Sequence, residues 1–158
     1  CVLRAGTLSD SALIGKRVAS LRQITCASPA YLRKYGEPKS LDDLKNHRAV
    51  NYVSRTTAKL FPFEFMVDGE LKEVPIDGAV SVFGAEIYAA SAIAGLGLIQ
   101  CPHYRMETQI AQGLIKEVLI ETPPPPMPVS VLYPHNRHMS PRVRVFVDWL
   151  GEVFADAG

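Results

Sequence analysis

The stretch SVFGAEIYAASAIAGLGLIQCP, residues 81–102, limits the possible folds more than any other part of the chain. It opens as an apolar strand, breaks at Gly84 and continues from near Ala85 as an alanine-rich helix. It then passes through Gly95-Leu96-Gly97 into a second apolar strand that stops at Pro102. The helical segment is apolar all round, which marks a helix buried on most sides. The second strand has no polar alternation, as in a parallel sheet covered on both faces. A chain built of such units is an α/β protein with a mostly parallel sheet.

The rest of the sequence repeats the alternation. Residues 1–6 (CVLRAG) read as a strand ending in a glycine turn, residues 7–19 as a loop, and residues 18–28 as a strand. A helix follows, with Ser28 as N-cap, Pro29 at its first position and Gly36 at its exit. Ser40 caps a second helix with Asp42 and Asp43 in its first turn, where the helix dipole favours them. Residues 49–54 form a strand, and FPFEFMVDGELKEVPI forms a hairpin about Asp68-Gly69 with Phe61, Phe63 and Phe65 alternating. A helix ending near Gly113 leads into a further strand, and TPPPPMP is a stiff extended connector. Residues 129–134 are a strand and residues 135–140 a polar turn. The last helix has Ser140 as cap and an apolar stripe of Val143, Phe146, Val147, Leu150 and Val153. Trp149 falls beside that stripe, partly buried.

Composition excludes several function classes. Seventeen basic residues stand against 16 acidic ones, a formal net charge of +1, so no nucleic-acid or membrane surface is expected on this chain. Cys1, Cys26 and Cys101 are odd in number and widely spaced, which fits a reducing compartment rather than a disulfide framework. No apolar run approaches the roughly 20 residues of a membrane span. The chain starts without an initiator methionine, on a strand already in progress, as a fragment of a longer protein would. No G-x-S-x-G, P-loop or G-x-G-x-x-G is present, and no spacing supports a Ser–His–Asp set, so an enzyme is not expected. His135 and His138 form H-x-x-H in a turn without a third ligand, so neither a metal nor another cofactor is expected.

Three blocks carry a resemblance to a known family. ITCASPAYLRKYGEPKSLDDLKNHRAV, AASAIAGLGLIQCP and LYPHNRHMSPRVRVFVDWL are similar, in this order, to segments of LysR-type transcriptional regulators. The block that closes the chain most resembles the CrgA-like branch. The resemblance implies an effector-binding domain of the two-lobed type II periplasmic-binding-protein fold, with mixed, mostly parallel sheets flanked by helices. Two crossover strands join the lobes, and a small molecule is held between them. It assigns residues 1–24 and 135–158 to an incomplete lobe one and residues 25–134 to lobe two, with crossover strands near 22–27 and 129–134. Family members are homodimers or homotetramers and contact DNA through an N-terminal helix-turn-helix that lies outside this chain. The implied protein is cytoplasmic and senses a small-molecule effector, an organic anion or an aromatic metabolite. The alternative is a solute-binding protein of a transporter with the same fold.

In an open α/β sheet, ligands bind beyond the carboxyl ends of strands. That places Phe83, Gly84 and Ala85 in the ligand site: glycine lets the backbone approach, and the first turn of the following helix can hold a carboxylate. Family members often carry polar residues where this chain has Phe83-Gly84, which points to a more apolar effector or one held by backbone. Gly6, Thr7 and Leu8 match the family turn that borders the same cleft. Tyr52, Cys101 and Pro102 end strands at the same edge. Arg55 and Lys59 read first as solvated surface charges, with an acidic effector as the other reading. Cys101 near His103 is the one pair that would reopen an enzymatic reading. Gly95 and Gly97 are structural, a C-cap and a close helix–strand contact.

Overall fold

The computed structural model describes residues 2–6, 13–55, 57–134 and 140–155. Thr7, Leu8, His135 and His138 therefore lie outside the described residues. Two compact units divide the chain, unit 1 from Cys1–Arg22 and Pro126–Gly158, unit 2 from Gln23–Pro125.

Unit 1 holds strands β1 (Val2–Ala5), β2 (Leu13–Leu21) and β10 (Met127–Pro134) with helix α4 (Pro141–Ala155). Its sheet runs β1-β10-β2 with every described pairing antiparallel. The sequence was expected to loop through residues 7–19, yet β2 begins at Leu13. An exposed edge strand carrying Lys16 and Arg17 lacks the in–out alternation that reveals a half-buried one. The strand expected over 18–28 is divided at Arg22, its two parts belonging to different units. Ser140 caps α4 as expected, its Oγ accepting from the Val143 N–H at 3.4 Å. Val147 and Leu150 pack against Val131 of β10, with Val18, Val143 and Phe154 at the margin. Phe146 and Val153, placed in the apolar stripe from sequence, are instead 42% and 48% exposed. Trp149 stacks on Phe146 with centroids 5.8 Å apart and is 52% exposed.

Unit 2 contains β3 (Gln23–Ala27), α1 (Pro29–Tyr35), a 3-10 turn (Leu41–Asn46), β4 (Arg48–Tyr52), β5 (Phe63–Val67) and β6 (Glu70–Val74). It continues through β7 (Asp77–Val82), α2 (Ala85–Ile93), β8 (Ile99–Pro102), a 3-10 turn (His103–Arg105), α3 (Glu107–Ala111) and β9 (Lys116–Val118). β4 pairs parallel with β7, and Val50 N–H to Leu98 O at 2.9 Å with Leu98 N–H to Arg48 O at 2.8 Å joins β4 to the start of β8. β8 and β9 pair antiparallel with β3 on either side. The sheet order is therefore β7-β4-β8-β3-β9, and only β3 runs against the others. The mostly parallel sheet expected from sequence describes unit 2; unit 1 departs from it.

Side-chain alternation builds one core on each face of this sheet. Ile24, Cys26, Val50, Ile99 and Cys101 meet Tyr88 and Ala92 of α2 on one face. Ala27, Ala49, Leu98 and Val118 meet Tyr31 and Leu32 of α1 and Phe63 and Phe65 of β5 on the other. Ser28 caps α1, its Oγ accepting from Tyr31 N–H at 3.2 Å. The helix expected after Ser40 is a 3-10 turn, and Asp43 Oδ2 accepts from the Ser40 and Lys39 N–H groups at 2.9 Å each. Those bonds hold the Asp43 carboxyl below its ordinary pKa. Gly97 is needed by two strands rather than by a helix–strand contact: a Cβ there would lie 2.7 Å from Arg48 O.

Candidate functional site

Because β4, β7 and β8 run the same way, their carboxyl ends gather at one pole of unit 2. Tyr52 ends β4 opposite Val82, which ends β7, and Pro102 ends β8. Beyond Val82 come Phe83, 51% exposed, and Gly84 at φ 92, a conformation that L side chains rarely adopt. Ala85 opens α2, whose first intrahelical bond is Tyr88 N–H to Gly84 O at 3.1 Å. No side chain caps this helix start. Of the residues proposed from sequence, Tyr52, Phe83, Gly84, Ala85, Cys101 and Pro102 thus share one edge. Gly6 belongs to unit 1, where its N–H donates to Pro128 O at 2.8 Å.

The chain after β4 turns back on itself through the Val53–Leu60 bridge, and Phe61 N–H donates to Tyr52 O at 2.9 Å. Phe61 therefore flanks β4 instead of opening the hairpin, which starts at Phe63. Three aromatic rings form a ladder: Tyr52 meets Tyr88 edge-on at 5.2 Å and Phe61 edge-on at 5.5 Å. Tyr88 is buried, and its hydroxyl accepts from Gln100 N–H at 3.0 Å. Burial pushes its phenol pKa well up, so it stays protonated. Arg55 reaches this edge, with Nη2 3.9 Å from where a Gly84 Cβ would stand. Arg105 instead pairs with Glu86 in the first turn of α2 at 2.6 Å. Phe61 was read as part of the hairpin, and Tyr88, Gln100 and Arg105 were not singled out from sequence. Their roles come from pairing across the sheet, and no local pattern announces them.

Cys101 is 6% exposed and sits in the core beside Cys26. The Cys26 thiol, hydrogen-bonded to Cys101 and buried, has its pKa pushed far up, which makes it a poor nucleophile. His103 Nδ1 faces Glu107 at 3.3 Å. Among the described residues no cluster of three or more His, Cys, Asp or Glu is placed to hold a metal. Nor is any described helix long and apolar enough to cross a membrane.

The fold defines an α/β protein of two units, with the carboxyl ends of parallel strands gathered at one pole of unit 2. The family model for the LysR substrate binding domain matches residues 1–155, and the chain belongs to that family. It is 33% identical over 156 residues to the uncharacterized HTH-type transcriptional regulator YhjC of Escherichia coli (strain K12), covering 99% of this chain and 52% of that protein. It is 27% identical over 151 residues to the HTH-type transcriptional regulator CrgA of Neisseria meningitidis serogroup B, covering 95% and 50%. The solved CrgA regulatory domain superposes with a TM-score of 0.72 at 25% identity, covering 99% of this chain and 74% of that one. The chain spans about half the length of the curated relatives it matches.

Proposed function

We propose that the chain is the effector-sensing part of a LysR-type transcription regulator, and that its effector is a small organic anion or aromatic metabolite. The match of the LysR substrate binding domain over residues 1–155 carries this reading. The unit 2 share of the site is the strand-end pole, with Tyr52, Phe83, Gly84 and Ala85 nearest the ligand and Cys101 and Pro102 supporting the edge from within. The family resemblance adds Gly6, Thr7 and Leu8 as further ligand contacts. Units 1 and 2 stand for the two lobes. The regulator acts in the cytoplasm as a homodimer or homotetramer, and its DNA contacts are made by a helix-turn-helix outside these 158 residues. No catalysis is assigned. The effector acts by its difference in affinity for two conformations, since equal affinity shifts nothing.

The test is thermal unfolding against a panel of aliphatic and aromatic carboxylates. A ligand present at about 100 times its Kd adds about 2.7 kcal/mol of stability. The reading expects at least one member to raise the melting temperature, and expects Gly84→Leu to remove that rise. No response from any carboxylate would overturn the anion reading.

A further inference from the structure

The pole of unit 2 carries an unusual amount of exposed apolar side chain. Leu60 is 53% exposed, Phe61 56%, Phe83 51% and Ile87 58%. Single exposed apolar residues are ordinary, but these are joined through the backbone into one region. Leu60 bridges Val53, Val53 N–H donates to Val82 O at 2.9 Å, and Phe83 follows Val82. Phe61 is held to Tyr52, and Ile87 lies in the first turn of the helix that Gly84 opens. Three rings at this pole are also fixed in place. Tyr88 is locked in the core by its bond from Gln100, Tyr52 packs edge-on against it, and Phe61 packs edge-on against Tyr52. Ring surface that is already ordered loses little entropy when a flat ligand covers it. Beside this surface stands the Arg55 guanidinium, near Gly84.

A small aliphatic dianion would use the cation and leave these rings uncovered. We infer that this pole selects a monoanion with a flat apolar body, Arg55 taking the charge and Phe83 with Phe61 taking the body, and that Phe83 determines specificity. The inference rests on the effector reading above and narrows it to one ligand chemistry.

Calorimetric titration of the 158-residue chain with 1-naphthoate, succinate and the uncharged 1-naphthalenemethanol separates the possibilities. Naphthoate is expected to bind more tightly than the other two. Phe83→Ala is expected to weaken naphthoate by about tenfold, the scale of one lost ring contact, and to leave succinate unchanged. Phe83→Tyr restores naphthoate, and Arg55→Ala weakens both anions. Phe83 and Arg55 are exposed, so far-UV circular dichroism should be the same for every variant. Succinate binding as tightly as naphthoate, or naphthoate indifferent to Phe83→Ala, overturns the specificity role while leaving an anion site that Arg55→Ala still weakens. Naphthoate binding lost only with Trp149→Ala assigns the probe to the exposed rings of α4 and also overturns it. Silence from both anions overturns the specificity role, and a response to other members of the carboxylate panel then leaves the effector reading standing.

Discussion

Tyr31 and His47 show how much of unit 2 depends on single polar atoms in its core. The Tyr31 hydroxyl accepts from Arg48 N–H at 2.8 Å, donates to Arg48 O at 3.2 Å and lies 3.0 Å from His47 Nδ1. His47 is 5% exposed, and burial holds its imidazole below the ordinary value, with Asp43 pulling weakly the other way. The folded chain therefore takes up this proton less readily than the unfolded chain. Stability from this residue is complete above the unfolded value and is lost as pH falls through about 6.5 towards the depressed folded value. Urea midpoints across pH 5 to 8 should show that loss, and His47→Gln should flatten it. Gly97 makes a second prediction at this scale. A Cβ there would stand 2.7 Å from Arg48 O and 2.8 Å from Ala49 C, both backbone atoms that cannot move aside. Gly97→Ala should cost about 1–3 kcal/mol, read from the urea midpoint. The sequence marked Gly97 as structural but could not name its neighbour, because β4 lies some fifty residues earlier and the contact exists only once β4 and β8 pair.

Elements were legible where local chemistry alone decides them. The Ser28-Pro29 start of α1, the Asp68-Gly69 turn at φ 51 and φ 81, and the Gly84 break before α2 all follow from residues within a few positions of one another. The first part of β2 was missed because an exposed edge strand needs no apolar alternation, and the stripe of α4 was rotated because Phe154, not Phe146 or Val153, joins the packed face. The docking of the β5–β6 hairpin was equally invisible. The Gln100 side chain accepts from Glu64 N–H at 3.0 Å and donates to Glu64 O at 2.9 Å and to Thr25 Oγ1 at 3.0 Å. Its amide thus stands in for a strand neighbour that β5 lacks. Gln100→Leu would leave Glu64 N–H and C=O and the Thr25 hydroxyl without this partner. A loss of about 2 kcal/mol or more is expected, since each buried polar group left unpaired costs about 1–3 kcal/mol. Amide exchange should locate the loss, with residues 63–67 losing protection before the sheet does.

Among the described residues the two units are packed very unequally, and this sets how the chain should unfold. Unit 2 packs both faces of a five-stranded sheet, while the buried cluster of unit 1 comprises Val131, Val147 and Leu150. The only tryptophan, Trp149, belongs to unit 1, and the strand-end pole belongs to unit 2. Two probes can therefore follow the units separately: Trp149 emission for unit 1, and exchange of the Val50 and Ile99 amides for unit 2. Truncating Leu150, 5% exposed and packed with Val131 and Val147, opens the buried cluster that fixes α4 to its sheet. Leu150→Ala should cost about 2–5 kcal/mol, the range for large-to-small changes in a packed core. If each unit is a cooperative block, the Trp149 transition moves to lower urea while Val50 and Ile99 keep their protection. A common shift in both probes would mean that the units unfold together. An effector held only at the pole of unit 2 would then stabilise unit 1 as well, and its binding energy would reach α4 without any contact there.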